Sequence, residues 1–288
     1  MHKTIAISII IPVKNGGKTL KSCLDGIYRQ TLFSQSEIII IDSGSIDNTF
    51  EVLKHYPEVK VYRIPPEQFN HGTTRNYGVS LAYGEYVVMT VQDASAVDEY
   101  WLERMCKHFS DLEVAAVCGL PIVLHDKDKD PHQWFRPVSK PSIRKIQFKN
   151  KQDFLDLTPA KQRELCALED VTAMYRKSAL EEIPFQKTDY AEDVIWAREA
   201  LLAGKAIVFD KFAKVCHYHF YDRNSFYKRI MSDLYYDYLI FGLKRKFPYN
   251  FNDYFLVIYR NFKYKTHPKW IFFNFFMLNA SRRAFKDF

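Results

Sequence analysis

The amino-acid sequence predicts an α/β protein: a mostly parallel, doubly wound sheet flanked by helices, followed by a helical, aromatic and basic extension. Apolar, β-branched runs of the kind found in strands buried on both faces alternate with segments of helical periodicity. This repeated strand–helix order favours right-handed crossovers and parallel pairing. The strands predicted in the amino-terminal part of the chain are 5–13, 37–42, 59–64 and 86–91.

Helices are predicted between and after these strands. A turn at Asn15-Gly16-Gly17 ends the first strand and leads into a helix over 18–30. Ser45 or Asp47 is expected to cap a helix that runs to His55. The remaining predicted elements are helices 73–83 and 101–109, strand 114–123, a surface loop over 124–141, helices 151–156 and 159–168, strand 171–176, helix 192–204, and strands 206–209 and 214–216.

Composition indicates a globular protein of a reducing compartment. Hydrophobic residues make up 47% and charged residues 26% of the 288 residues. The five cysteines are scattered and form no Cys-x-x-Cys pair, which argues against a disulfide framework or a zinc ribbon. No secretory signal and no membrane-spanning apolar run is recognised, so we expect a cytoplasmic protein.

Charge and aromatic residues are concentrated near the carboxyl terminus. Residues 211–288 hold 15 Lys and Arg against 5 Asp and Glu, and 25 of the 46 aromatic residues. Helices are predicted over 223–241 and 254–264, with a basic cluster at Lys244-Arg245-Lys246. We expect peripheral attachment to an anionic membrane surface; an ordinary packed subdomain or a contact between copies in a homo-oligomer is the alternative. Nucleic acid is not expected, because no recognition motif accompanies the charge.

Two predicted strands end in an acid. Asp42 and Asp93 fall at the carboxyl ends of their strands, which is the edge where ligands bind in open α/β sheets. Asp93 is therefore a candidate ligand of a metal or substrate, and Asp42 a candidate contact of a nucleotide base or ribose. The alternative is that each acid only caps the turn that follows it.

A donor-rich segment precedes the strand that ends at Asp93. Arg75 offers a planar fork suited to a phosphate or a base carbonyl, and His71 lies at the same predicted helix start. Alternatively, Arg75 pairs with a surface carboxylate and His71 is an ordinary loop residue.

Two later clusters also carry chemical groups. Glu192 and Asp193 open a predicted helix, where acids either stabilise the helix dipole or provide a general base. His217 and His219 lie on the same side of an extended segment, so one of them can join Asp93 on a divalent cation. The alternative is that the histidines are not ligands.

The order of these motifs resembles the family 2 glycosyltransferases with the GT-A fold. The segments that carry the resemblance are IPVKNGGKTLKSCLDGIYRQ, IIIIDSGSIDNT, GTTRNYGVSLAYGEYVVMTVQDA, AEDVIWAREALLAGK and CHYH, within residues 5–225. FNHGTTRN together with QDA resembles the bacterial rhamnosyltransferase-like branch, which builds surface polysaccharides.

The resemblance implies roles for individual residues. Asp42 would contact the pyrimidine base, Asp93 would hold Mg2+ or Mn2+ on the sugar-nucleotide diphosphate, and Asp193 would deprotonate the acceptor hydroxyl in an inverting transfer. His217 or His219 would complete the metal site. The implied nucleotide-binding residues are Pro12, Val13, Asn15, Asp42, Ser43, His71, Arg75, Gln92 and Asp93, and the implied acceptor-binding residues are Glu192 and Trp196.

One position departs from the family pattern. The family often has two acids, Asp-x-Asp, at this strand end, whereas this chain has Val91 where the first acid would stand. Asp93 is therefore left to serve the cation with phosphate oxygens, water and a histidine. The missing acid also keeps open the alternative of an inactive sugar-nucleotide-binding or scaffold protein.

The resemblance also implies a domain organisation and a substrate class. We expect a glycosyltransferase domain over 1–222, with a nucleotide half over 1–110 and an acceptor half over 111–222, and an extension over 223–288. The expected reaction moves a sugar, with rhamnose a candidate, from a dTDP- or UDP-sugar to a lipid-linked saccharide at the inner face of the plasma membrane. A nucleotidyltransferase is the alternative enzyme, but its early Gly-rich loop would carry an Arg, which the segment 14–18 lacks.

Overall fold

The computed structural model describes residues 6–123, 141–218 and 221–288. The strands are β1 (Ile7–Val13), β2 (Ser36–Asp42), β3 (Lys60–Arg63), β4 (Tyr86–Thr90), β5 (Ala94–Ala96), β6 (Val114–Ile122), β7 (Ile143–Ile146), β8 (Thr172–Arg176) and β9 (Ala206–His217). The α-helices are α1 (Leu20–Tyr28), α2 (Thr49–Leu53), α3 (His71–Leu81), α4 (Trp101–Cys106), α5 (Lys151–Leu155), α6 (Pro159–Leu165), α7 (Lys177–Glu182), α8 (Glu192–Leu202), α9 (Arg223–Phe241), α10 (Phe251–Lys263) and α11 (Lys269–Asp287).

The first half of the sheet confirms the predicted parallel architecture. β1 lies between β2 and β4 and is parallel to both, and β3 extends β2 in the same direction. All seven residues of β2 are buried, and six of the seven in β1. Such two-sided burial is what parallel strands covered by helices require. The carboxyl ends of β1, β2 and β4 therefore share one edge, which we call the carboxyl edge.

The sheet continues in alternating directions beyond β4. The strand order is β3-β2-β1-β4-β8-β6-β9-β5, with β7 paired to β9. β8 is antiparallel to β4, and β6 is antiparallel to β8, so β6 runs in the same direction as β4. The carboxyl end of β6 and the amino end of β8 thus also lie at the carboxyl edge.

The pairing of β5 with β9 positions residues of the site. The two strands predicted at 206–209 and 214–216 form a single strand, β9, of 12 residues. Its end pairs antiparallel with β5, which puts Ala94 opposite His217. The residue before Ala94 is Asp93, so this register brings distant parts of the chain together.

Four elements of the described chain are absent from the sequence prediction. β5 and β7 have only three and four residues, too few to show an alternation. α7 is a helix of six residues. α11 was not predicted as a helix, although it contains the apolar run 270–278. The loop predicted over 124–141 lies, except for Pro141, outside the described residues.

The described residues divide into two compact units. One contains residues 6–121 and 141–217, and the other contains residues 122–123, 218 and 221–288. The second unit includes α9, α10 and α11. Within it, α11 packs against both other helices. No helix among the described residues is long and apolar enough to cross a membrane.

A buried carboxylate ties β2 to the start of β4. Glu37 is 6% exposed. It accepts hydrogen bonds from the Ser8 hydroxyl at 2.5 Å and from the Tyr83 amide at 2.7 Å, and it pairs with Lys60 Nζ at 2.7 Å. Burial raises the pKa of Glu37, but these partners outweigh it and the pKa lies below its usual value.

We predict that Glu37→Gln destabilises the protein, because Lys60 loses its charged partner and the hydrogen bonds from Ser8 and Tyr83, which both end on Oε1, are then accepted by a neutral amide oxygen. The melting temperature should fall by roughly 3 to 10 °C at neutral pH. Because the pKa of Glu37 is lowered by folding, the difference from the wild type should shrink as the pH falls through that pKa. Glu51→Gln, in an exposed pair with Lys54, is the control. Equal melting temperatures for the two variants would contradict the prediction.

Candidate active site

The turn after β2 buries the first strand-end acid. The Asp42 side chain is 0% exposed, and its carboxylate accepts from the amides of Gly44 and Ser45 at 3.2 Å. Gly44 has a φ of +88°, which suits a glycine. Arg63 Nε lies 3.6 Å from the same carboxylate. Asp42 therefore stabilises the turn, and the direct contact with a base that was predicted for it is not supported by its position.

Side chains connect the neighbouring loops of the carboxyl edge. The amide of Gln92 accepts from Lys14 N–H at 2.9 Å and donates to Lys14 C=O at 3.1 Å. Asn15, with a φ of +52°, accepts from the Ile46 amide at 2.9 Å, and its own N–H donates to Ser45 Oγ at 2.8 Å. The loops after β1, β2 and β4 are thus held together by hydrogen bonds within the protein.

The other predicted nucleotide-binding residues of β1 and β2 contribute mainly backbone at this edge. Val13 and Ser43 are buried, and the Ser43 amide donates to Val13 C=O at 2.9 Å. Pro12 is half-buried beside them and pairs with Ile41. The structure brings these residues together, while their contacts with a nucleotide stay a prediction.

Asp93 and His217 meet at the carboxyl edge. His217 Nε2 lies 3.4 Å from Asp93 Oδ1, and both side chains are partly exposed. The β5–β9 register accounts for this approach. Val91 packs against the hydrophobic core, consistent with its not serving as a ligand. His219 lies outside the described residues.

The donors at this position fit a divalent cation that arrives with other ligands. Among the described residues, no group of three or more His, Cys, Asp or Glu side chains could hold a metal ion. One carboxylate and one imidazole remain, so diphosphate oxygens and water would have to complete the coordination shell.

Arg75 lies in a buried cluster of charges. Its side chain is 6% exposed, with Nε 2.7 Å from Asp170 Oδ2 and Nη1 2.8 Å from Glu192 Oε1. Nη1 also donates to the His71 carbonyl at 3.1 Å. Arg75 thus pairs with buried carboxylates, not with the surface carboxylate of the alternative, and its contact with a nucleotide stays a prediction. Glu192 is occupied by the same pair, and so its predicted contact with an acceptor is not supported.

Asp193 belongs to the same cluster but is less enclosed. It is half-buried, and it accepts from the amides of Asp170 at 3.2 Å and Val194 at 2.8 Å. Burial and the neighbouring Glu192 raise the pKa of Asp193 to about 6, against the lowering effect of Arg75. A carboxylate with this pKa is mostly ionised at neutral pH and can still take up a proton.

Sequence reasoning missed Asp170. It is 3% exposed, and its Oδ1 accepts from the Tyr175 hydroxyl at 2.6 Å. Burial raises the pKa of Asp170 to about 8, despite the opposing charge of Arg75. The signal that could have revealed it is the acid pair Glu169-Asp170 directly before a strand that starts at the carboxyl edge.

Trp196 is buried in the protein, whereas the side chain of His71 is partly exposed. Trp196 is 1% exposed, donates its indole N–H to the Ile183 carbonyl at 2.7 Å, and packs edge-on against Tyr175. The predicted contact of Trp196 with an acceptor is therefore not supported. His71 keeps a side chain that is 43% exposed, with Nδ1 3.8 Å from Glu192.

A cavity of about 470 Å³ opens at the carboxyl end of β6. Phe209, Arg144 and Glu169 are among its lining residues. Arg144 lies over the Phe209 ring at 5.3 Å and pairs with Glu164 at 3.0 Å. Because Glu169 directly precedes Asp170, the cavity adjoins the charge cluster.

Comparison with known proteins identifies a family and two similar enzymes. The model of glycosyl transferase family 2 matches residues 8–184. The chain is 28% identical to the O-antigen chain rhamnosyltransferase RfbN of Salmonella typhimurium over 234 residues, which is 77% of this chain and 69% of that protein. It is 29% identical to the O-antigen chain rhamnosyltransferase WbaN of Salmonella anatum over 227 residues, which is 78% and 70%.

Solved structures confirm the fold. Residues 1–349 of S. aureus TarS align with a TM-score of 0.57 at 18% identity, covering 90% of this chain and 72% of that one. The mannosyltransferase PcManGT of Pyrobaculum calidifontis, solved with GDP-Man and Mn2+, aligns with a TM-score of 0.60 at 17% identity, covering 98% and 74%. The GT-A-type fold predicted from the sequence is therefore correct.

We predict that Arg75→Met destabilises the fold by about 3 to 5 kcal/mol, because it leaves buried carboxylates without their counter-charge. Without Arg75 these acids hold protons more tightly in the folded than in the unfolded chain. The loss of unfolding free energy caused by Arg75→Met should therefore be larger at about pH 8 than at about pH 5, as measured by denaturant unfolding.

Arg104→Met is the matched control, since Arg104 forms a less buried pair with Asp98. It should cost no more than about 1 kcal/mol and show little change with pH. A loss in Arg75→Met that is small, or that is equal at both pH values, would contradict the prediction.

Proposed function

Because the chain belongs to glycosyl transferase family 2, we propose that it transfers a sugar, with rhamnose the first candidate, from a nucleoside-diphosphate donor to a saccharide acceptor during synthesis of a bacterial surface polysaccharide. The observation that carries the proposal is the arrangement of the carboxyl edge, where Asp93 and His217 lie 3.4 Å apart. On the same edge, the amide of Asp170, just before β8, holds Asp193. One candidate metal position and one candidate base thus face the same side of the sheet.

The donor is proposed to bind along the loops after β1, β2 and β4. Two relatives are named as rhamnosyltransferases of the O-antigen chain. TarS has been solved with UDP and with UDP-GlcNAc, at 19% and 17% identity to this chain. A dTDP- or UDP-sugar is accordingly the proposed donor. Asp42 would contribute to donor binding by stabilising the turn after β2, and Gln92 by holding the loop after β1 in place.

A divalent cation, Mg2+ or Mn2+, is proposed to be held by Asp93 and His217, with His219 a further candidate. When bound, such an ion would neutralise negative charge that develops on the leaving diphosphate. Asp93 and His217 would position the diphosphate end of the donor. Because the described residues supply few ligands at this position, the metal and the donor should bind together.

Asp193 is proposed to remove the proton from the acceptor hydroxyl. Its carboxylate is held by two backbone amides, so its orientation is fixed. With a pKa of about 6 it is mostly ionised at neutral pH, because the charge of Arg75 partly offsets the rise in its pKa that burial and Glu192 cause. Attack from the face opposite the leaving group would invert the anomeric configuration. General base catalysis of this kind contributes about 100-fold to 10,000-fold.

The acceptor is proposed to lie in the cavity beside β6. Phe209 offers an aromatic surface there, and Arg144 and Glu164 offer polar groups for sugar hydroxyls. A lipid-linked saccharide is the proposed acceptor, which would place the enzyme at the inner face of the plasma membrane, with residues 223–288 as the membrane-contacting segment. The assignment of residues 1–222 to the catalytic domain belongs to the same proposal.

We predict that Asp193→Asn abolishes sugar transfer while donor binding is kept, because the amide cannot take up the proton. In the wild type, kcat/KM should fall as the pH drops below about 6, where Asp193 becomes protonated. Glu199→Gln, which removes a more exposed acid from the same helix, should retain activity. Turnover by Asp193→Asn at the wild-type rate would exclude Asp193 as the base.

We further predict that EDTA abolishes transfer and that Mn2+ or Mg2+ restores it. Asp93→Asn and His217→Gln should each raise the metal concentration needed for half-maximal donor binding by at least about tenfold. Binding is read from the thermal shift caused by dTDP- or UDP-sugars with and without metal. His55→Gln, at an exposed site, is the control. A donor-induced shift that is unaffected by EDTA would rule out the proposed metal role.

A further inference from the structure

Four aromatic side chains are exposed along one face of α10. Phe251 is 75% exposed, Phe255 58%, Tyr259 58% and Phe262 74%. Their spacing of four, four and three residues places them within about 80° of the helix circumference. We call this set the α10 stripe. Exposed apolar surface that is contiguous in this way marks interaction sites rather than ordinary solvent-facing helix.

The opposite face of α10 is the one that packs within its own unit. Val257 is 0% exposed and Asn261 3%. Asn261 bonds to the Val257 carbonyl and to Thr266, which fixes the turn after the helix. From the same side, Tyr254 donates to Asn279 of α11 at 3.0 Å. The α10 stripe therefore points away from α11, and the helix is anchored without it.

Cations gather at the carboxyl end of the stripe. Arg260 and Lys263 lie in the last turn of α10, Lys265 follows in the connection, and Lys269 is the first residue of α11. Lys263 Nζ lies 5.5 Å from the centre of the Tyr259 ring. Aromatic rings next to lysines and arginines are typical of helices that lie in the interface of an anionic bilayer.

We propose that α10 lies in the interfacial layer of an anionic phospholipid membrane. The α10 stripe inserts between lipids, and Lys263, Lys265 and Lys269 contact headgroup phosphates. A parallel two-fold contact of α10 with a second copy would bring these lysines together, whereas an anionic bilayer offers each of them a headgroup phosphate. The membrane contact deepens the proposed function, on which it rests for its purpose, since it assigns the surface that would bring the enzyme to a lipid-linked acceptor.

The test measures co-flotation of the full-length protein with vesicles of phosphatidylcholine, with or without phosphatidylglycerol. Wild-type protein should float with the anionic vesicles only, and less so at high salt. The double change Phe255→Ser with Phe262→Ser should lower the partition coefficient by at least about tenfold. Leu112→Ser, which removes an exposed apolar side chain from the other unit, should not lower it.

Insertion is measured separately, in a variant that keeps the stripe apolar. Phe262→Trp should be quenched by brominated lipids beyond the quenching seen in the wild type. Equal flotation of the wild type and the double variant, or no added quenching in Phe262→Trp, would overturn the proposal. So would a double variant that differs from the wild type only in being monomeric by light scattering, because the occupant would then be a second copy.

Transfer to a short, lipid-free acceptor distinguishes this proposal from the proposed function. If the double variant loses flotation but keeps that activity, both proposals are supported. If the wild type floats but transfers no sugar, the proposed function fails while the membrane contact stands.

Discussion

The guanidinium of Arg75 is the interaction on which the candidate active site depends. It reaches from α3 to Asp170, just before β8, and to Glu192 at the start of α8, with distances of 2.7 and 2.8 Å. A single buried cation thereby joins three parts of the chain that are far apart in sequence. Because the cluster is buried and its carboxylates outnumber the cation, Asp170 and Asp193 hold protons more tightly than isolated acids would. Asp193 is half-buried, whereas Asp170 and Glu192 are buried, so Asp193 is the acid of this cluster that can exchange a proton with its surroundings most readily.

The change of direction in the sheet is the second constraint. β8 runs antiparallel to β4, so its amino end, preceded by Asp170, falls beside the carboxyl ends of the parallel strands. The short strand β5 then turns back to pair with the end of β9, and this pairing carries His217 to Asp93. A purely parallel sheet would gather only strand ends that lead into helices. The mixed sheet adds the amino end of β8 and the β5–β9 pair to the same edge.

The sequence predicted the parallel half well because its strands are long, apolar and bounded by turns, as in β1 and β2. It predicted that His217 or His219 would lie beside Asp93, and the structure places His217 there, although β5 is too short to be recognised. Arg75 and Asp42 were assigned ligand contacts because local sequence does not report burial. Their partners, Asp170 and the amides after Asp42, are supplied by the tertiary fold and by a turn conformation. Trp196 was assigned to the acceptor by the resemblance, and its burial against Tyr175 is likewise a property of the tertiary fold that local sequence does not report.

The two hydrogen bonds between Gln92 and Lys14 have a consequence for the rate at which a ligand associates. The side-chain amide of Gln92 accepts from and donates to the backbone of Lys14, as a neighbouring strand would. It thereby joins the loops after β1 and β4 beyond the ends of the paired strands. The conformational entropy of the loop after β1 is therefore lost when the chain folds and not when a nucleotide arrives. Association at this edge should then be limited by encounter and desolvation, with little delay from ordering of this loop.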